Sequence, residues 1–151
     1  VRVVTVGRHN TPAEITDERV DAGPLAGVEA LLHSDLGTDY LIVCCDQPLV
    51  TTPVLELLKG DDDLAFFRNL DGSIEPFPMH VAASMAASCT ASLDTGARSV
   101  LVWMRSSSGH PIDLPDDHIG TLTSLNSPDQ YIKARSLADD LDDGALECRR
   151  P

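Results

Sequence analysis

The chain alternates between short uncharged runs, which predict strands, and segments in which apolar residues recur at helical spacing. One uncharged run covers residues 40–45 and is followed directly by Asp46 and Pro48. We predict a buried strand over this run, and Pro48 ends it because proline cannot donate to a central ladder. Asp46 is therefore expected at the carboxyl end of the strand, the edge at which open α/β sheets bind ligands.

Asp46 is the first candidate for chemistry, because its carboxylate stands at that edge. Mg²⁺ prefers hard oxygen ligands and usually shares its coordination with waters and substrate phosphates. An aspartate at a strand end suits that ion. The residues leave a second interpretation open, in which Asp46 caps the loop or helix that follows.

A glycine-flanked segment begins the first predicted helix. Pro24 suits the first helical position, and an apolar face continues to about Ser34. Gly23 and Gly27 have two uses that stay open. Structurally, Gly23 takes a backbone conformation that other residues resist, and Gly27 allows close packing on the sheet. Functionally, a glycine-flanked helix start lets a nucleotide approach the backbone N–H groups.

The rest of the pattern predicts alternating strands and helices. Further strands are expected over residues 1–7, 64–68, 110–114 and 121–125, and further helices over residues 51–58, 81–93, 97–105 and 127–141. Residues 8–22 are polar and irregular, and two prolines in residues 75–80 predict an extended segment at a sheet edge or along a pocket. This order indicates an α/β fold with a mostly parallel sheet in three layers.

The last predicted helix has a clear start. Ser127 stands at the cap, Pro128 in the first turn, and Gln130 three positions after the cap, where it closes a capping box. We expect one domain over residues 1–141 and a mobile polar tail over residues 142–151.

Composition and charge exclude two classes of protein. The formal net charge of −13, with only 11 Lys and Arg, argues against nucleic-acid binding, which requires clustered positive charge. No apolar run approaches the roughly 20 residues of a membrane span. The chain has 4 cysteines and no Cys-x-x-Cys pair, and we interpret them as the reduced thiols of a cytoplasmic protein.

Ordered blocks of residues along the chain resemble those of one enzyme family. They are Gly23-Pro24-Leu25-Ala26-Gly27, Cys45-Asp46-Gln47-Pro48, Glu75-Pro76, Gly96-Ala97-Arg98-Ser99-Val100, Gly109-His110-Pro111-Ile112-Asp113 and Leu125-Asn126-Ser127-Pro128. In their order and spacing they are similar to the blocks of the molybdenum cofactor guanylyltransferases. Each block alone is weak, whereas their joint presence over almost the whole chain is specific.

The resemblance implies a nucleotide-diphospho-sugar-transferase-like fold and a defined reaction. Members of the family transfer GMP from GTP to the molybdopterin-bound molybdenum cofactor, which forms the guanine dinucleotide cofactor and releases pyrophosphate. The reaction requires Mg²⁺. GTP and the molybdopterin cofactor are therefore the expected ligands, and molybdoenzymes or cofactor-insertion proteins are the expected partners.

The resemblance also assigns residues to the nucleotide. Asp46 matches the family's catalytic aspartate, which holds the metal and the GTP phosphates. Asp17, Gly23 and Leu25 match nucleotide-binding positions, and Thr5 stands where some members have a nucleotide-contacting asparagine.

Positions that bind the acceptor substrate follow from the same resemblance. They are Glu75, Pro76, His110, Ser124 and Asn126. Ser124 replaces the first asparagine of the family's Asn-x-Asn-x-Pro, and its hydroxyl forms hydrogen bonds with a shorter reach.

One block of the family has no counterpart in this sequence. Family members open with a strand and a glycine-rich loop of the form L-A-G-G-x-S-x-R-M-G-x-D-K, whose backbone amides and lysine hold the triphosphate. We therefore expect that these 151 residues are a fragment of a longer enzyme and are inactive alone. Arg8 and Arg19 are the arginines that sequence order brings nearest to the phosphates.

Two other functions stay open. The first is a related nucleotidyltransferase that uses CTP or a sugar phosphate, and the second is a non-catalytic binding or adaptor module. The nucleoside triphosphate that binds would separate the first from GMP transfer.

Overall fold

The structure, a computed structural model, describes residues 2–8, 12–19, 21–118, 120–132 and 134–135. Within these residues the strands are β1 (Val6–Arg8), β2 (Ile15–Asp17), β3 (Asp39–Ile42), β4 (Leu64–Arg68), β5 (Ile74–Ala82) and β6 (His110–Asp113). The helices are α1 (Pro24–Leu32), α2 (Thr52–Leu57), α3 (Ala86–Asp94) and α4 (Val100–Ser106), with 3-10 helices at Ala83–Met85 and Asp116–His118. Residues 128–132 and 134–135 are also helical.

The strands form two sheets. β1 and β2 pair in parallel, and the larger sheet has the order β3-β5-β4-β6. β5 is antiparallel to both β3 and β4, whereas β4 and β6 are parallel, so β3, β4 and β6 all run in one direction. The α/β fold with a mostly parallel sheet is confirmed, with β5 as the reversed strand.

The larger sheet is covered on both faces, which gives the three predicted layers. In one core, Leu25, Val28 and Leu32 of α1 pack with residues of α3 and α4. The same core contains Phe66 of β4 and Met79 of β5. The second core packs Val54 and Leu58 against Ala65, Phe67, Leu114 and Leu122 on the other face. Apolar side chains alternate between these two cores along β4, as expected for a strand buried on both sides.

The segment with two prolines divides between two settings. β5 lies between β3 and β4, but β3 pairs only with its Met79–Ala82 part. Residues 74–78, which contain both prolines, have no pair in β3, so this part is open on one side, as predicted for a sheet edge. The register with β4 also shifts here, because Phe66 pairs with Met79 and Phe67 with Glu75, and Pro76 and Pro78 fall in the bulge between these pairs. An open edge and a bulge are the settings in which a strand tolerates proline.

Several predicted strands have different bounds. β1 is shorter than residues 1–7, and β2 lies within residues 8–22, which were predicted to be irregular. The run over residues 40–45 gives a strand only to Ile42, and this strand is at the edge of the sheet, so that Leu41 is 39% exposed rather than buried. Residues 121–125 form turns and no strand.

The predicted helix starts agree better with the structure. Pro24 is the first residue of α1, and Leu25, Val28, Leu31 and Leu32 are buried on one face as predicted. Ser127 Oγ accepts a hydrogen bond from the backbone N–H of Gln130, as expected for the cap. Gln130 Oε1 in turn accepts from the backbone N–H of Asn126, one position before the cap.

Within the described part of the chain, no helix has the length and apolarity needed to cross a bilayer. The end of the last predicted helix and the predicted tail, residues 136–151, lie outside the described residues.

Candidate functional site

The carboxyl ends of β3, β4 and β6 meet at one edge of the larger sheet, because the three strands share a direction. Asp46 lies in a turn that follows β3 at this edge, and its residue is half-buried. β5 runs the other way and therefore begins at the same edge with Ile74 and Glu75. The fold thus brings the predicted metal ligand Asp46 and the predicted substrate residue Glu75 to one side of the molecule.

A second chain segment is bonded directly to the Asp46 turn. The backbone N–H of Leu125 donates to the carbonyl oxygen of Asp46 over 2.7 Å. Ser124 and Asn126 flank Leu125 in the sequence and are half-buried and exposed, respectively. The two predicted substrate positions at the end of the chain therefore lie beside the predicted metal ligand.

Gln47 holds these segments together, although no pattern in the sequence assigned it a role. Its Nε2 donates to the carbonyl oxygens of Phe77 at 2.9 Å and Leu122 at 3.1 Å. The residue is 7% exposed, and its Oε1 is buried without a hydrogen-bond partner. Gln47 thus connects the Asp46 turn to the β5 bulge and to the segment that precedes Ser124.

Polar side chains beside Glu75 are paired with one another. Asn69 Nδ2 donates to Glu75 Oε1 at 3.0 Å. Arg68, at the end of β4, forms an ion pair of 2.7 Å with Asp113 at the end of β6. The hydrogen bond from Arg68 lowers the pKa of the Asp113 carboxyl. The sequence analysis missed Arg68 because its partner is 45 positions away.

The predicted nucleotide residues Asp17 and Gly23 bracket the loop between β2 and α1. Asp17 is the last residue of β2, and its backbone lies opposite Arg8 in the parallel β1–β2 ladder. Gly23 has φ of 71°, and a Cβ atom built there would lie 2.8 Å from the carbonyl oxygen of Arg98. The structural use of Gly23 is therefore confirmed, since an L side chain would meet both strain and a clash.

The structure gives less support to the ligand contacts that were predicted for Leu25, Thr5 and His110. The Leu25 side chain is fully buried in the core, so any nucleotide contact would come from its backbone. The Thr5 hydroxyl and carbonyl both accept from the Glu14 backbone N–H, at the opposite end of the β1–β2 pair from Asp17. His110 begins β6 and pairs with Ala65, near the amino end of β4, so it is not brought together with Asp46.

Arg19 is engaged by carboxylates and is not free to meet phosphates. Its guanidinium donates to Glu29 through Nε at 2.6 Å and NH2 at 2.8 Å, and to Asp94 through NH1 at 2.8 Å. A groove of about 480 Å³ borders this pair and includes Glu18 and His33. The expectation that Arg19 supplies a cation to the triphosphate is therefore not supported, since two carboxylates already neutralise its charge.

The residues around Asp46 suit a magnesium ion that is completed by its substrate. Within the described residues, no group of three or more His, Cys, Asp and Glu side chains has the geometry to hold a metal. Mg²⁺ is commonly bound by one or two carboxylates together with substrate phosphates and water, rather than by an all-protein cage. Asp46 can supply one such carboxylate, and the donor set fits Mg²⁺ on that basis.

The thiols beside Asp46 are free. Among the described cysteines, Cys44, Cys45 and Cys89 are all unpaired, and Cys45 is exposed. Partial burial, together with the negative charge of Asp46, raises the pKa of the Cys44 thiol to about 11. Cys44 is therefore a neutral neighbour of the carboxylate at pH 7.

Residues 2–109, most of the chain, match the family described as the MobA-like NTP transferase domain. The chain belongs to this family. Its class is thus that of the nucleotidyltransferases, and the match covers the β2–α1 loop, the Asp46 turn and β5.

Solved structures of similar fold support the same assignment. Molybdopterin-guanine dinucleotide biosynthesis protein A from Archaeoglobus fulgidus has a TM-score of 0.71 and 23% sequence identity, over 86% of this chain and 70% of that chain. A protein from Aquifex aeolicus VF5 has a TM-score of 0.66 and 10% identity, over 75% of this chain and 61% of that chain. At these identities the likeness shows the fold, and it confirms the nucleotide-diphospho-sugar-transferase-like architecture.

Proposed function

We propose that this MobA-like protein transfers GMP from GTP to a molybdopterin-bound molybdenum cofactor and releases pyrophosphate. The observation that supports the proposal most directly is the bonding around Asp46. Leu125 donates to its carbonyl oxygen, and Gln47 joins the same turn to Phe77 and Leu122. The turn that carries the candidate metal ligand is thus bonded to two of the segments that the family resemblance assigns to the acceptor, although not to His110.

Each group of residues has a distinct role in this proposal. Asp46 would hold the magnesium ion that accompanies the triphosphate. Asp17 and the backbone at Gly23 bind the nucleoside part of GTP. Ser124 and Asn126 orient the acceptor, together with Glu75 and Pro76 near the start of β5. Phosphoryl transfer depends mainly on positioning and charge stabilisation, so residues that fix these segments contribute to the rate.

Mg²⁺, when bound, would neutralise charge on the phosphates of GTP. The chain has a net charge of −13, so a triphosphate requires local positive charge or oriented donors in order to bind. Asp46 cannot attract the nucleotide without a cation. We therefore propose that GTP binds as its magnesium complex and that the acceptor cofactor binds at the Ser124 side. The product would then pass to molybdoenzymes or cofactor-insertion proteins.

Calorimetric titration of the chain with GTP, in the presence and absence of Mg²⁺, tests the nucleotide part of the proposal. GTP should bind only with Mg²⁺, and Asp46→Asn should weaken this binding because the amide keeps the size but loses the charge. Asp61→Asn is the matched control, since Asp61 is an exposed carboxylate in an acidic run. An Asp46→Asn variant that binds GTP·Mg²⁺ as tightly as the wild type would overturn the role of Asp46.

Competition between nucleotides tests the base. A site built to hydrogen-bond the polar edge of a base can discriminate against an analogue that lacks this edge by a factor on the order of 10⁴. GTP should therefore displace CTP and not the reverse. Equal affinities for GTP and CTP would instead indicate the related nucleotidyltransferase, and binding of neither would indicate a non-catalytic module.

A further inference from the structure

The loop between β2 and α1 is fixed by a charged network that lies outside the Asp46 turn. Arg19 lies in this loop, two positions after Asp17 and four before Gly23. Its guanidinium makes a bidentate pair with Glu29 of α1, at 2.6 and 2.8 Å, and a single bond of 2.8 Å with Asp94 of α3. One side chain therefore joins the loop to two helices.

Glu29 is the centre of this network. Its side chain is only 12% exposed, and Oε1 also accepts a hydrogen bond of 2.8 Å from the Thr90 hydroxyl of α3. Thr90 lies 3.1 Å from Nε2 of His33, which follows α1. Bidentate carboxylate–guanidinium pairs fix orientation as well as distance. The direction of the Arg19 side chain is thus set by partners on both helices.

A second arginine ties the same loop from the other side. Arg98, in the connection between α3 and α4, donates through NH1 to the carbonyl oxygen of Asp21. The Arg98 carbonyl oxygen also approaches Gly23 closely: a Cβ atom built on Gly23 would lie 2.8 Å from it. Residues 17–19 and 21–23 are therefore held between α1, α3 and the connection that follows α3.

We propose that Arg19 is a positioning residue for nucleotide binding: its clamp on Glu29 and Asp94 holds the loop from Asp17 to Gly23 in the shape that receives the nucleotide. The inference rests on the proposed function, since it takes Asp17 and Gly23 as nucleotide contacts. Arg19 acts through these residues and does not touch the phosphates itself. Its two carboxylate partners leave it no net charge to offer a triphosphate.

The Arg19 clamp depends on the shape of the guanidinium rather than on its charge. Lysine keeps the positive charge of arginine, but its ammonium cannot make a planar bidentate pair and also reach a second carboxylate in the same way. Of the described loop residues Glu18, Arg19, Asp21 and Ala22, Ala22 alone packs against the core, so few apolar contacts fix the loop once that clamp is lost. Arg19→Lys should therefore release the loop while the net charge of the chain stays the same.

Hydrogen exchange and nucleotide affinity together test the proposal. In Arg19→Lys and in Glu29→Gln, amide exchange over residues 15–19 and 21–26 should accelerate roughly tenfold, the factor expected for the loss of one charge-assisted hydrogen bond. The Kd for GTP·Mg²⁺ should rise by a similar factor. Arg105→Lys is the matched control, because Arg105 is exposed near the end of α4 and outside this network.

A double variant and a milder single variant show whether an effect comes from the loop or from a general loss of the fold. Arg19→Lys combined with Glu29→Gln should be no worse than either single variant, because both break the same pair. Asp94→Asn, which changes a partner whose side chain is 60% exposed, should give a smaller effect in the same direction. A role in global stability alone would move exchange in β4 as much as in the loop and leave the Kd of the folded protein unchanged.

The outcomes separate this inference from the proposed function. Faster loop exchange with a higher Kd supports both. If the wild-type chain shows no affinity for GTP·Mg²⁺, the proposed function fails, and with it the role of the clamp in nucleotide binding. If the wild type binds but loop exchange or Kd is the same in Arg19→Lys as in Arg105→Lys, the positioning role of Arg19 is overturned while the proposed function stands.

Discussion

The backbone N–H of Leu125 donates a 2.7 Å hydrogen bond to the carbonyl oxygen of Asp46. This bond uses no side chain, so substitutions at either position leave the donor and the acceptor in place. It therefore fixes the separation between the Asp46 carboxylate and the Ser124–Asn126 segment independently of the chemistry of those side chains. The Gln47 side chain, in contrast, makes its own hydrogen bonds to Phe77 and Leu122, so a substitution at Gln47 should lower the stability of the fold more.

Gln47→Met should destabilise the fold by about 2–4 kcal/mol, because it leaves the buried carbonyl oxygens of Phe77 and Leu122 without their donor. Gln47→Glu should cost more, since a carboxylate would face both carbonyls. Urea denaturation followed by the fluorescence of the single, buried Trp103 measures the change. Lys59→Met is a control of small expected effect, because its ion pair with Glu56 is exposed. Equal stability of Gln47→Met and the wild type would show that the two bonds contribute nothing.

Gly23→Ala should destabilise the fold more than Gly96→Ala. Gly23 has φ of 71° and ψ of −170°, a region essentially limited to glycine, where an L residue costs roughly 1–3 kcal/mol. At Gly23 the new methyl group also meets the Arg98 carbonyl oxygen, whereas Gly96 has φ of 88° and nothing lies within 4 Å of a Cβ atom built there. Thermal unfolding of the two variants measures how much the strain and the clash at Gly23 cost together, relative to Gly96. Indistinguishable midpoints would mean that the Arg98 connection moves aside freely.

Glu29→Gln should change how stability depends on pH. Burial alone would raise the pKa of Glu29, but hydrogen bonds from Arg19 and Thr90 outweigh it, and the pKa lies below its ordinary value. A carboxyl with a depressed folded-state pKa stabilises the fold above its unfolded-state pKa, and this contribution is lost as the pH falls through the folded-state pKa.

The stability difference between wild type and Glu29→Gln should therefore be full at pH 7 and shrink as the pH falls below about 4.3, the ordinary pKa of glutamate. Denaturation midpoints between pH 7 and pH 3 measure it. Glu56→Gln, which breaks an exposed pair, serves as the comparison. A difference that stays constant over this range would contradict the assigned pKa shift.

Thiol labelling should distinguish the three cysteines that the structure describes, of which Cys44 and Cys45 directly precede Asp46. Cys45 is exposed and should react first of the three. With a pKa of about 11, against an ordinary 8.5, Cys44 has a thiolate fraction at pH 8 that is lower by roughly 10²-fold. Burial raises the pKa of Cys89 to about 12, so it should react last. Timed alkylation with peptide mapping gives the order. Asp46→Asn should speed the labelling of Cys44, and an unchanged rate would mean that the carboxylate does not influence this thiol.

The elements that the sequence predicted well depend on local rules. Pro24 and the apolar spacing after it determine α1, and Ser127 with Gln130 determines the start of the last helix, because all the partners are within one or two turns. The position of Asp46 at the carboxyl edge was also predicted, but Pro48 does not explain it, since β3 already ends at Ile42 and Asp46 lies in the turn that follows.

The elements that could not be predicted depend on distant partners. The bulge opposite Phe66 and Phe67 is one example, since the sequence of β5 does not show that its register with β4 shifts there. The role of Gln47 depends on partners 30 and 75 positions away, and the carboxylates that neutralise Arg19, Glu29 and Asp94, are 10 and 75 positions away. The assignments of Asp46 to Mg²⁺ and of Asp17 to the nucleotide stay predictions.

The bond between Gln47 and Leu122 also bears on the order in which the chain folds. The two residues are 75 positions apart, whereas β4 and β5 are joined by a tight turn closed by Asn69 and Ser73. Closing the long loop costs more entropy, and contacts of high sequence separation generally form late. We therefore expect the β4–β5 hairpin to form first and the Asp46 turn to reach its final shape only when the segment around Leu122 docks. Affinity for the nucleotide complex should then appear at the end of refolding, after most of the Trp103 signal has recovered.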